Sequence, residues 1–69
     1  MNYLNKEIVV IGLGYVGLPL AVKLAAHFKV IGYDISIDRI KELKDCNDST
    51  KEIKKNILRK AKNLIFTCD

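Results

Sequence analysis

The sequence predicts an α/β fold built on a parallel sheet, and three observations carry that expectation. Glu7-Ile8-Val9-Val10-Ile11 holds four consecutive β-branched apolar residues, the pattern of a strand buried on both faces inside a parallel sheet. Val16, Leu20, Leu24 and Phe28 then recur every four residues, with Leu18, Ala21 and Ala25 widening the stripe, which is the helical period. Strand-like and helix-like runs continue to the last residue in the order β-α-β-α-α-β. Right-handed crossovers arrange the three strands 3-2-1.

Between the first strand and the first helix stands Gly12-Leu13-Gly14-Tyr15-Val16-Gly17. Three glycines in six residues are a weak signal alone; the strand before and the helix after make them specific. Gly12 permits a tight turn out of the strand. Gly14, lacking Cβ, lets backbone approach a diphosphate, and Gly17 lets the helix lie close to the strand. The first helical amides, around Tyr15 and Val16, have no intrahelical acceptor and can donate to an anion, aided by the helix dipole. Pro19 is compatible with a helix if it falls in the first turn, where its missing N–H would have been unpaired.

The second strand, Lys29-Val30-Ile31-Gly32-Tyr33, ends on Asp34, seventeen positions after Gly17. That is close to the ~20 residues expected for a carboxylate that grips an adenosine ribose. Such an acid accepts from the ribose hydroxyls and repels a 2′-phosphate, which favours NAD over NADP. Ser36 then serves as N-cap of a short helix whose apolar face is Ile37, Ile40 and Leu43. Arg39 sits in its first turn, and position alone allows either a second adenosine contact or a solvated side chain. Asp45 to Thr50 is a turn cluster. Lys51 to Lys62 reads as a third helix, with Ile53, Ile57, Leu58 and Ala61 on one face. Asn63 to Asp69 reads as the third strand.

Composition bounds the function. The chain has 69 residues, a net charge of +4, 49% hydrophobic and 29% charged residues, which is globular usage. One small domain is expected, burying only ~60% of its unfolded surface. No apolar run reaches the ~18 residues of a membrane span. The polar opening Met1 to Lys6 has no signal-peptide core behind it, so a cytoplasmic location is expected. Cys46 and Cys68 lack metal-ligand spacing; neither a metal site nor a disulfide is expected. His27 reads as a cap at the negative end of the first helix. The basic face of Lys51, Lys54, Lys55, Arg59, Lys60 and Lys62 could attract nucleic acid or acidic lipid. Without interleaved aromatic residues it reads better as a solvated face, so no nucleic-acid partner is expected.

These elements make the first mononucleotide-binding half of a Rossmann fold. The whole of residues 1–69 is therefore expected to be the N-terminal half of a dinucleotide-binding domain in a longer chain. The first strand would otherwise leave an unpaired parallel edge.

The run Ile8 to Ala21, through Gly-Tyr-Val-Gly-Leu-Pro, resembles the N-terminus of bacterial nucleotide-sugar 6-dehydrogenases of the UDP-glucose/GDP-mannose dehydrogenase family. Val30 to Ile35, Arg39 to Leu43, Asp48-Ser49-Thr50 and Leu64 to Thr67 look the same way. The likeness is greatest to the branch acting on UDP-N-acetylglucosamine or UDP-N-acetylgalactosamine in capsule and O-antigen synthesis. It implies a two-step, NAD-dependent oxidation of the sugar C6 alcohol to a carboxylate, in a parent enzyme that is a homodimer. It also implies that the NAD diphosphate rests on Gly12, Gly14 and Gly17 with the Tyr15 and Val16 amides. Asp34 and Arg39 would hold the adenosine ribose. The family's catalytic cysteine, lysine and sugar-binding groups lie beyond position 69. No catalytic residue is therefore assigned here, and the UDP-sugar would be met by the rest of the parent. A non-catalytic nucleotide-binding regulatory module is the alternative, and a structural remnant using its basic helix a third.

Two departures from the family stand out. Asp45-Cys46 replaces the usual Asn-Gly after the second helix, and the loss of a glycine there is expected to strain the turn. The following helix is basic where the family's is usually acidic.

Overall fold

The structure, a computed structural model, describes residues 6–69. Of the polar opening Met1 to Lys6, only Lys6 falls among them. The elements are β1 (Glu7–Ile11), α1 (Gly17–Leu24), β2 (Lys29–Tyr33), α2 (Ile37–Lys44), α3 (Lys55–Lys60) and β3 (Leu64–Thr67). The strands form one parallel sheet, β1-β2-β3, which is the expected 3-2-1 order seen from the other edge. Val9 pairs with Ile31 and Ile31 with Ile65; one step on, Val10 pairs with Gly32 and Gly32 with Phe66.

The pleat divides these rows between two faces. Val10, Val30 and Leu64 face a core completed by Leu18, Ala21 and Ala25 from α1 and its C-cap, Ile40 and Leu43 from α2, and Leu58 from α3. The opposite face is bare: Val9 is 56% exposed, Ile11 77% and Ile65 64%. This corrects the expectation that β1 is buried on both sides. Right-handed crossovers between neighbouring parallel strands put successive helices on one face. The second apolar face of β1 is thus left uncovered.

The buried stripe of α1 also differs from the four-residue repeat read in the sequence. Leu18 and Ala21 are fully buried, whereas Val16 is 81% and Leu20 48% exposed. The rotation of the helix is set by Gly17. A Cβ there would lie 1.7 Å from the Gly12 carbonyl oxygen, so only glycine lets the helix start this close to the turn. Positions 17, 21 and 25 then share the inward face. Pro19 falls in the first turn as expected. The C-cap is Ala25, and His27 lies two residues beyond it, exposed, with its N–H on the Leu24 carbonyl at 3.0 Å.

In α2 the expected cap is present: the Ser36 Oγ accepts from the Arg39 N–H at 3.1 Å. Ile40 and Leu43 are buried, but Ile37, in the first turn, is 58% exposed. The helix closes with the Cys46 N–H on the Leu43 carbonyl and the Asn47 N–H on the Glu42 carbonyl, a Schellman pair. Cys46 adopts φ +58°, the left-handed backbone that favours glycine. The strain expected at that position is real.

The helix expected over Lys51 to Lys62 is shortened to six residues, and Asp48 supplies the reason. Its buried carboxylate accepts from the Thr50 N–H and hydroxyl at 3.0 and 2.6 Å, and from the Glu52 and Ile53 N–H groups at 2.9 Å each. A short acidic side chain that captures nearby amides competes directly with helix formation. The loop so formed drives exposed Lys51 to φ +60°.

Burial alone would push the Asp48 carboxyl up. The Thr50 hydroxyl, the Ile53 N–H, the Arg39 guanidinium and the Thr50 N–H outweigh it and hold the group at about 2, against an ordinary 3.8.

Two outcomes follow from this loop. Lys51→Gly relieves a left-handed lysine that makes no core contact, and should stabilise the chain by about 0.5–1 kcal/mol in chemical denaturation. Asp48 binds its proton less tightly folded than unfolded. Its contribution is therefore complete above about pH 4 and fades as pH falls from there toward 2. Melting curves should show Asp48→Asn less stable than the parent at pH 7, with a shallower loss between pH 4 and 2.

Candidate functional site

The carboxyl ends of β1 and β2 lie side by side, with the Gly12 N–H on the Tyr33 carbonyl at 2.8 Å. There the chain leaves β1 through Gly12 at φ +90°. The next residue, Leu13, is held on three sides. Its side chain is fully buried and lies over Gly32, where a Cβ would come within 3.1–3.2 Å of both Leu13 methyls. Its N–H donates to Asp34 Oδ2 at 2.9 Å. Its carbonyl accepts from Arg39 Nε at 2.7 Å.

Asp34 therefore reaches back from the end of β2 into the glycine turn. Its other oxygen, Oδ1, accepts from the Ser36 N–H at 2.9 Å and ties the turn to the entrance of α2. The Leu13 N–H and then the Ser36 N–H hold this carboxyl below its ordinary 3.8; slight burial opposes them and the Arg39 charge assists. It is ionised at neutral pH, and each carboxylate oxygen retains a lone pair for a further donor.

Arg39 is 10% exposed in its side chain and carries more protein contacts than its position in the sequence suggested. Besides Leu13, it meets Glu42 Oε1 at 2.6 Å and Asp48 Oδ1 at 2.8 Å, both through Nη1. Burial opposes its charge, but Glu42 and Asp48 outweigh burial and raise it above the ordinary arginine value. Glu42 is lowered in turn by the Arg39 guanidinium and the Ser49 hydroxyl. Arg39 Nη2 is buried with no acceptor among the described residues.

Past Leu13 the turn opens. The N–H groups of Gly14, Tyr15 and Val16 have no acceptor among the described residues. Tyr15 is 68% and Val16 81% exposed, and no atom lies within 4 Å of where a Gly14 Cβ would stand. Three free amides beside an open surface at a helix entrance suit an anion. An ionised carboxylate bonded into the same turn at Leu13 suits a ligand carrying hydroxyl groups as well as phosphate.

All seven residues singled out in the sequence, Gly12, Gly14, Tyr15, Val16, Gly17, Asp34 and Arg39, thus belong to one turn and the two side chains that brace it. The sequence reading missed Leu13, Gly32 and Asp48. A glycine inside a strand signals close approach by another group, and an acid two residues before a threonine signals a side-chain-organised turn. Among the described residues no cluster of His, Cys, Asp or Glu could hold a metal. Both cysteines are free. No described helix is long and apolar enough to cross a membrane. The basic residues from Lys51 to Lys62 are all exposed, and none joins the two ion pairs found among the described residues.

Comparison with known proteins agrees with this geometry. The UDP-glucose/GDP-mannose dehydrogenase family, NAD binding domain, matches residues 6–69. The chain is 50% identical over 64 residues to protein CapL of Staphylococcus aureus, covering 93% of this chain and 15% of that protein. It is 48% identical over 63 residues to a UDP-N-acetyl-D-glucosamine 6-dehydrogenase of Pseudomonas aeruginosa, covering 91% and 15%. A UDP-N-acetyl-D-mannosamine dehydrogenase of Methanocaldococcus jannaschii is 52% identical over 52 residues, covering 74% and 12%. The solved structure of a UDP-D-ManNAc dehydrogenase from Pyrococcus horikoshii superposes with a TM-score of 0.84 at 33% identity, covering 93% of this chain and 16% of that one. The chain spans 15% of the length of the first two of these relatives. NAD is the cofactor this match indicates, and the open turn and the ionised acid fit it. The chain belongs to the UDP-glucose/GDP-mannose dehydrogenase family, in its NAD binding domain.

Proposed function

We propose that residues 1–69 form the first half of a dinucleotide-binding domain and hold NAD for a nucleotide-sugar 6-dehydrogenase. The observation that carries this reading is the 2.9 Å bond from the Leu13 N–H to Asp34. It brings the Asp34 carboxylate to the turn that carries the free amides, which supports one shared site for ribose and diphosphate. The Gly14, Tyr15 and Val16 N–H groups donate to the diphosphate oxygens, and the α1 entrance adds favourable potential. Gly12 shapes the turn, and Gly17 seats the helix beneath it. Asp34 accepts from the ribose hydroxyls through its remaining lone pairs, and its charge disfavours a 2′-phosphate, selecting NAD over NADP. Arg39 serves the site from within the fold, holding the Leu13 carbonyl through Nε at 2.7 Å.

Bound NAD supplies the hydride acceptor for oxidation of an alcohol. In the parent enzyme that alcohol is the C6 hydroxyl of a UDP-N-acetylhexosamine, of the UDP-GlcNAc or UDP-GalNAc type. Two rounds of oxidation give the carboxylate used in capsule or O-antigen synthesis. The relatives named for UDP-N-acetyl-D-glucosamine and UDP-N-acetyl-D-mannosamine support a UDP-N-acetylhexosamine. The parent acts as a cytoplasmic homodimer. The sugar and the catalytic groups belong to other parts of it, so the 69-residue chain binds cofactor without turning over substrate.

Calorimetric titration of the chain with NAD tests the assignment. Asp34→Ala removes charged hydrogen bonds worth about 1.5–3 kcal/mol and should weaken NAD roughly 10- to 100-fold. An unchanged affinity would remove Asp34 from the site. Gly14→Ala meets open space in the free chain and should change stability by less than about 0.5 kcal/mol while still weakening NAD. Gly17→Ala cannot keep the observed approach of α1 to Gly12, and should lose both folding stability and binding.

A further inference from the structure

We infer that Asp48, in the loop after α2, is a positioning residue for the diphosphate amide of Gly14, acting through Arg39 and the Leu13 peptide. The inference rests on the reading of the glycine turn as the diphosphate site.

Asp48 is a fixed anion. Its side chain is fully buried. Four donors of its own loop, from Thr50, Glu52 and Ile53, hold both oxygens without help from Arg39. Arg39 Nη1 docks on this anchor at 2.8 Å and on Glu42 at 2.6 Å. A guanidinium is a rigid planar fork, so fixing Nη1 also fixes the direction in which Nε donates. Nε donates to the Leu13 carbonyl at 2.7 Å.

The last link is the peptide plane itself. In a trans peptide the carbonyl of one residue and the N–H of the next lie in one plane and point in opposite directions. Holding the Leu13 carbonyl toward Arg39 therefore aims the Gly14 N–H the other way. That N–H has no acceptor among the described residues, and its Cα borders open space. The Leu13 N–H, bound to Asp34, fixes the preceding peptide plane, so Leu13 has little freedom to rotate. A loop about 35 positions further along the chain thus sets the direction of one phosphate-binding donor.

The chain and its Asp48→Asn variant should be compared with ADP and adenosine as probes. The variant preserves shape but removes the anchor's charge. ADP should bind 5- to 10-fold more weakly while adenosine is unchanged, because the lost aim concerns the diphosphate. Equal affinity for ADP, or equal losses for both probes, overturns the inference. Amide exchange by NMR supplies a readout independent of ligand. Leu13 should exchange at least tenfold faster in the variant, beyond any change at Val30 in β2; a uniform change along the chain marks a merely structural role and overturns the inference. Arg39→Lys keeps the charge without the fork and should reproduce the ADP-selective loss, whereas wild-type ADP affinity in it overturns the inference. Should Asp48→Asn not fold, Glu42→Ala removes the second anchor, whose side chain is 24% exposed, and should cost ADP two- to threefold with adenosine unchanged; no loss overturns the inference. Failure of the unmodified chain to bind ADP would remove the dinucleotide reading instead, and the exchange measurement would still decide the role of Asp48.

Discussion

The structure depends on the immobilisation of one residue, Leu13, between the two glycines of its turn. Its side chain fills the space that Gly32 leaves on β2. Its N–H belongs to Asp34 and its carbonyl to Arg39. A turn that carries unpaired amides is under pressure to fold back on itself and satisfy them. Holding Leu13 on three sides prevents that collapse, because neither flanking peptide can rotate. The unsatisfied N–H groups that follow are therefore maintained as donors, ready for an anion with little reorganisation.

The same geometry shows how local strain is distributed. The two non-glycine residues with positive φ among the described residues, Cys46 and Lys51, flank Asp48. Both sit in the loop whose carboxylate anchors Arg39. Left-handed backbone at such residues costs about 1–2 kcal/mol each, and the buried hydrogen bonds of Asp48 offset it. Strain at a distance from the glycine turn thus accompanies order within it.

Much of this was legible in the sequence, for identifiable reasons. Element order, strand order, the Ser36 cap and the meeting of Asp34 with the glycine turn follow from short-range pattern and crossover handedness. The stripe of α1 did not, because apolar period alone cannot tell Val16 and Leu20 from Leu18 and Ala21. The close approach at Gly17 decides it, and that is a three-dimensional fact. The third helix was overextended because Lys51 to Ile53 have helical composition, whereas one acid just upstream takes their amides. β1 read as doubly buried because its residues are apolar on both faces, but the helices of this half-fold cover one. In Arg39 the sequence offered a charge near the ribose. Glu42, three positions on along the same helix, was within reach of that reading; Asp48, brought in by the loop that follows, was not.

The glycine turn also divides its glycines by the kind of selection that would keep them. Gly17 is required by the backbone of its own fold, since a methyl group there would collide with the Gly12 carbonyl. Gly14 meets nothing in the rest of its own chain, so only an occupant of the site can demand it. Among descendants of this chain that had abandoned their cofactor, residue 14 would drift toward larger side chains while residue 17 stayed fixed. The state of those two positions in any relative would then record, independently of its name, whether the site is still in use.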